Sequence, residues 1–362
     1  MIPYKLLDWI PESAINYNTL SLNPRATRLL EKNQDKINWS ILSSNPEAIH
    51  ILEDNLGKID WRELSSNPAA IRLLEKNQDK IVWYRLSANP AAVDLLEKNQ
   101  DKIVWRELTK NTNPDAFNLF EKNYFKLMYY DWYALCKNPH AISFIEIELR
   151  TTKLIDGFYK WFCCCRPFNS ICKIKWGSLC LNTNPAAIRM LEENPDKIDW
   201  STLSRNPAAI RLLEKNPDKI VWFNLSSNSE AIHILENEIQ TNPHNRINWE
   251  LLSKNSKAIH ILEKYPEHIS WFHINGNTNP EAMRMIETHW KTYYQTYYHL
   301  PWCTLSKNPN IFTYDYQEMS RSKIQLHEEL IRNMFHPTNI EKFEDWGFAN
   351  GFTNDNDIQQ ST

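Results

Sequence analysis

An aromatic residue followed three positions later by an aliphatic one recurs twelve times along this chain of 362 residues. The pairs begin with Tyr17/Leu20, Trp39/Leu42, Trp61/Leu64 and Trp83/Leu86 and end with Trp271/Ile274 and Trp302/Leu305. After each stands an Asn, followed by Pro in ten of the twelve; Asn228 and Asn255 precede Ser instead. The basic period is 22 residues. A period of this size is the mark of a repeat array, in which single units cannot bury their apolar faces alone.

The step from the Pro (or Ser) to a Glu is seven residues in the first eleven repeats, Pro24 to Glu31 through Pro280 to Glu287. Length changes fall in only two places. The aliphatic-to-Pro step grows from four to six where Asn-Thr-Asn-Pro appears, at Asn111, Asn182 and Asn277. The Glu-to-aromatic step is usually eight but reaches 30 between Glu146 and Trp176. Rigid pieces keep their length and loops do not, so each repeat reads as two rigid pieces joined by two loops.

Both pieces read as helices. Asn-Pro is a start signal, with Asn as N-cap and Pro at the first helical position. After Pro68 the apolar residues Ala70, Ile71, Leu73 and Leu74 fill one helical arc. The helix is expected to end near Asn77, through a left-handed residue there. Ile81, Trp83 and Leu86 share a face of the second, shorter piece. A strand at Ile-x-Trp, giving a leucine-rich-type horseshoe, is the weaker alternative, because the Trp-x-x-Leu step is helical.

The expected fold is therefore all-α: an α-solenoid of about twelve 22-residue two-helix repeats with a helical C-terminal cap. Stacked at helix spacings of ~8–10 Å, it would be a rod on the order of 100 Å long. Trp83 and its equivalents would lie in the shared core, and Ser21, Ser43, Ser65 and Ser87 would form a ladder of caps beside the Asn column. The divisions are an N-terminal cap over 1–14, repeats over 15–310 with insertions at 147–172 and 288–301, a helical cap over 311–353, and a disordered tail over 354–362. In the cap, Leu326, Leu330, Ile331 and Met334 share one face, and Thr338-x-x-Glu341 opens a second helix.

Composition narrows the function. Only 6 Gly stand against 19 Pro and 15 Trp, which leaves little room for Gly-rich phosphate loops. The net charge of -3 weighs against nucleic acid. No stretch reaches the ~18 apolar residues of a membrane span, and none resembles a signal peptide. Seven cysteines without framework spacing fit an intracellular, reduced protein.

Repeats of the form Trp-x-x-Leu-Ser-x-Asn-Pro-x-Ala-Ile-x-Leu-Leu-Glu resemble those of uncharacterised proteins of giant DNA viruses of the mimivirus type. The ending Glu328-Glu329-Leu330-Ile331 with Phe335-His336-Pro337 and Ile340 is similar to their terminal segment. The resemblance spans about Ile15 to Phe348. It implies a viral protein in the host cytoplasm or the virion, and offers no activity to carry over.

Four features compete as sites. Cys163, Cys164, Cys165 and Cys172 could form a zinc site, but paired C-x-x-C spacing is absent, and thiols in a loop are the preferred reading. Lipidation of the triplet is a weaker third. Tyr293, Tyr294, Tyr297 and Tyr298 could grip a partner or pack back on the array, the latter being preferred. The eleven histidines show no ligand pattern. The fourth feature is a column. Counting the repeat Pro as zero, position four lies opposite the apolar arc. It holds Arg28, His50, Arg72, Arg189, Arg211, His233, His260 and Arg284, interrupted by Asp94, Asn118 and Ser143. A solvated face is the plainer reading of this stripe, and a docking stripe for an acidic protein partner the functional one. No metal or cofactor is expected. A non-catalytic protein-binding scaffold ranks first, a structural or packaged virion component second, and an enzyme using the Cys-rich insertion third.

Overall fold

The computed structural model describes residues 3–121, 123, 132–151, 174–242, 246–293 and 300–334. Helix dominates, in many short segments that recur with the repeat, and sheet is nearly absent. Two units are distinguished: Leu6–Phe312, which holds the repeats, and residues 1–5 with 313–362.

Each regular repeat is a four-part cycle. In the third, α1 (Trp61–Ser65) is followed by a 3-10 turn (Pro68–Ala70), α2 (Ile71–Lys76) and a second 3-10 turn (Gln78–Lys80). The Asp60 carboxylate caps α1 by accepting from Arg62 N and Glu63 N. Asn67 Oδ1 accepts from Ala69 N at 3.0 Å, so Asn-Pro does start the second piece. Its first turn is 3-10 rather than α, however, and α2 starts only at Ile71. Asn77 ends α2 as expected but not in the left-handed region: its φ is -130°. Its side chain does the work instead, Nδ2 donating to Leu73 O at 2.9 Å and satisfying a terminal carbonyl.

The core is narrower than the sequence suggests. The aliphatic partner of each aromatic (Leu64, Leu86, Leu108) and the Ala two residues after the Pro (Ala48, Ala70, Ala92) are fully buried. Alanine at that point lets neighbouring repeats approach closely. The Trp column does not form the shared core: Trp39, Trp61 and Trp83 are only half-buried. Trp132, 2% exposed, is an exception.

Buried polar ladders join the repeats. Asn45 Nδ2 donates to Ser21 O and Asn23 O of the preceding repeat, and Asn89 likewise to Ser65 O and Asn67 O. Where Asn-Thr-Asn-Pro occurs, the ladder residue is the first Asn (Asn111, Asn182, Asn277), not the one before Pro. The ladder Asn thus stands three residues after the aliphatic residue in all twelve repeats. The Ser column runs beside it. Ser65 Oγ donates to Trp61 O and accepts from Val82 N of the next repeat. Cys136 Sγ accepts from Lys175 N in the same role, and burial pushes the Cys180 thiol's pKa up.

The expected open rod is corrected by its ends. Asn23 Nδ2 donates to Ser306 O and Asn308 O, both at 3.0 Å, and Asn16 N donates to Ser306 Oγ at 3.0 Å. Rungs of the same two kinds join most internal pairs, as from Asn89 to Ser65 O and Asn67 O and from Val82 N to Ser65 Oγ, and here they are made between the first and the last repeat. Leu7 N also donates to Ile311 O, Arg25 to Pro309 O, and Trp9 stacks on Trp290 with centroids 5.7 Å apart. The repeat unit is a closed circuit of twelve ladder asparagines. Closing with twelve repeats requires about 30° of rotation from each to the next, a small per-repeat turn of the kind that bends such arrays. Leu7 and Trp9, which fall within the expected N-terminal cap of 1–14, thus contact the end of the repeat series.

If the circuit closes in solution, Trp9 and Trp290 must be coupled although 281 residues separate them. A double-mutant cycle of Trp9→Ala and Trp290→Ala, read by urea denaturation, is expected to give ~0.5–1.5 kcal/mol of coupling. Strict additivity would mean an open array.

The insertions leave the ladder intact. Asn182 Nδ2 reaches Asn138 O across the longest of them. Residues 142–151 are helical, and the cysteines of 163–172 lie outside the described residues. The stretch 288–301 is not all loop: a helix, Pro280–Tyr293, carries His289 and Trp290. Tyr294, Tyr297 and Tyr298 lie outside the described residues. Two short strands, β1 (Tyr4–Leu6) and β2 (Phe312–Tyr314), pair, and the rings of Tyr4 and Tyr314 stack at 5.3 Å. The helix Tyr316–Met334 follows. Leu326 (65%), Leu330 and Ile331 on it are exposed. The expected helix from Thr338 and the tail lie outside the described residues.

Candidate partner-binding surface

Position four of the second helix faces outward as its angle predicts. Arg72, Arg189, Arg211, His233, His260 and Arg284 are exposed, and Arg28 and His50 half-buried. What the single-helix reading could not include is the neighbouring repeat. His50 Nε2 lies 2.8 Å from Glu31, His233 Nε2 2.8 Å from Glu214, and His260 Nε2 2.9 Å from Glu236. Arg284 lies 3.7 Å from Glu263 and 2.5 Å from Glu281. Glu31, Glu214, Glu236 and Glu263 are all the position-seven Glu of the preceding repeat. The basic column and the recurrent Glu column therefore interleave.

Such exposed pairs contribute little stability, of order 0–1 kcal/mol each. Their consequence is for charge: where the two columns pair, the surface is not basic. Arg72, Arg189 and Arg211 make no ion pair within the described residues. Near Arg211, the Glu192 carboxylate goes to Lys215 at 3.1 Å. The three arginines remain open to an outside carboxylate, and of them Arg189 and Arg211 stand in adjacent repeats.

A second column was not singled out from sequence. The residue after the repeat aromatic is exposed, and in four repeats it is a large aromatic: Tyr84, Tyr133, Phe223 and Phe272. The signal was present in the sequence, one place beyond each Trp, but could not be read before the Trp's own face was known. In some other repeats this position bonds the next repeat, as at Asn18, Ser40 and Ser201. Ser40 Oγ donates to Asp60 at 2.6 Å, which holds that carboxyl below its usual range.

A cation covers most of the repeat aromatics that the first repeats present. Lys36 sits over Tyr17, Lys58 over Trp39, Lys80 over Trp61 and Lys102 over Trp83, at 4.4–4.9 Å from the ring centroids. Later in the array the cover changes. Arg246 lies over Trp222, His268 stacks on Trp249, and His289 stacks on Trp271 with a 3.5 Å centroid separation. Beside Trp271 opens a cleft of about 740 Å³, lined among others by Glu263, Glu267, Ile269, Met285 and Thr292.

Among the described residues, no group of three His, Cys, Asp or Glu side chains is placed to hold a metal ion, and no helix is long and apolar enough to cross a membrane. Comparisons with known protein families, with curated proteins and with solved structures gave no match.

Proposed function

We propose that this chain is a non-catalytic repeat scaffold, a closed α-solenoid, that binds a protein partner in an infected cell, in the host cytoplasm or the virion. The observation that carries this reading is the division of roles inside the repeat. The recurrent polar side chains, Asn and Ser, are buried and bonded in the ladders. The exposed positions vary between repeats, as at position four and at Tyr84, Tyr133, Phe223 and Phe272, and such variation on the outer face is what binding arrays use. Arg189 and Arg211 are the proposed contact for an acidic partner, Arg being suited to bidentate carboxylate contacts.

The test is a charge reversal. Arg189→Glu with Arg211→Glu is expected to abolish salt-sensitive capture of partners from infected cells and to leave the melting temperature unchanged. Capture of the same proteins by the reversed variant would reduce the stripe to a solvated surface.

A further inference from the structure

In the first four repeats the lysine that covers the aromatic ring stands five residues after the repeat Glu: Lys36 after Glu31, Lys58 after Glu53, Lys80 after Glu75 and Lys102 after Glu97. It is delivered by the 3-10 turn that follows the second helix. In the eleventh repeat that turn does not form, because the helix Pro280–Tyr293 runs on through it. The residue five after Glu287 is Thr292, and Thr292 lines the cleft beside Trp271. The neighbouring Lys291 is held by Glu287 at 2.5 Å. Thus the residue at the lysine position of the other repeats lines the cleft, and His289 rather than an ammonium group covers the ring.

We infer that this cleft binds a lysine side chain presented by a partner protein. The wall formed by Trp271 and His289 and the apolar Ile269 and Met285 suits an alkyl stem, and Glu263 and Glu267 supply carboxylates for its head. Both carboxylates are about half-exposed, so they are reachable from solvent. Arg284 at the rim is held closest by Glu281, at 2.5 Å, and lies 3.7 Å from Glu263, while His268 lies 3.8 Å from Glu267, so a lysine head would share these carboxylates with the residues already beside them. The ring that replaces lysine on the Trp is the His289 imidazole, whose pKa burial lowers. Lysine is the committed ligand because the chain itself uses lysine on this ring column four times.

The inference rests on the scaffold reading, but its test needs no partner. The full chain, labelled with 5-fluorotryptophan, is titrated with acetyl-Gly-Lys-Gly-amide and followed by ¹⁹F NMR, the Trp271 signal being identified by its loss in Trp271→Phe. A saturable shift of that signal is expected. The norleucine and Nε-acetyl-lysine peptides, and the Glu263→Gln/Glu267→Gln variant with the lysine peptide, should bind at least about ten-fold more weakly. No shift at Trp271, or an equal shift from the norleucine peptide, overturns the site. Such a failure leaves the Arg189/Arg211 capture result untouched, so the two readings fail separately.

Discussion

Asn277→Ala is expected to destabilise the protein by about 3 kcal/mol, and Asn279→Ala, two residues away in the same Asn-Thr-Asn-Pro motif, by only about 1 kcal/mol. Asn277 is fully buried. Its Nδ2 donates to Ser253 O and Asn255 O at 2.9 and 3.1 Å, and its Oδ1 accepts from Asn279 N. Alanine removes all three bonds in a place water does not reach, and each orphaned buried group costs ~1–3 kcal/mol, reduced where a carbonyl keeps another donor. Asn279 is a half-exposed N-cap that accepts from Glu281 N and donates to Ser256 O. Water can replace part of what it loses. Urea denaturation of the two variants decides the matter. An Asn279→Ala variant as unstable as Asn277→Ala would mean that the ladder does not run through the first Asn of the motif.

Leu86→Ala is expected to cost ~2–5 kcal/mol, more than Trp83→Ala at ~1–3 kcal/mol, although indole is much the larger group. Leu86 is fully enclosed between repeats, so its loss leaves a cavity. Trp83 is half-buried, and its outer part carries Lys102 at 4.8 Å. Truncation there removes part of a buried surface and a partly solvated cation–π contact of ~0.5–1 kcal/mol, and water fills the space. Thermal unfolding of both variants checks the order. If Trp83→Ala proves the costlier, the indole column is the core after all.

The repeat was legible because selection for a constant step leaves a period that needs no tertiary knowledge. The three-residue step to Leu64 or Leu86 and the Asn-Pro start of the second piece are local: a cap, a fixed φ and a helical period act within a few residues of chain. The charge stripe was legible only in part for the same reason. The angle of Arg211 or His233 on its own helix follows from 100° per residue. That His233 meets Glu214 depends on how the next repeat stacks. The ladder residue in Asn-Thr-Asn-Pro was misplaced because either Asn can cap a helix, and burial between repeats selects the first.

From the sequence alone came the helical class, the regular repeat and the structural role of the Asn, Ser and Leu columns. These properties repeat in every unit, so local energetics determine them twelve times over. Only the tertiary structure decided that Asn23 meets Asn308, that Trp83 is half outside the core, and that the cleft beside Trp271 is open. Closure depends on the sum of twelve small rotations between repeats, each set by side-chain packing across an interface. An error of a few degrees per repeat, which no sequence pattern records, separates a closed circuit from an open rod.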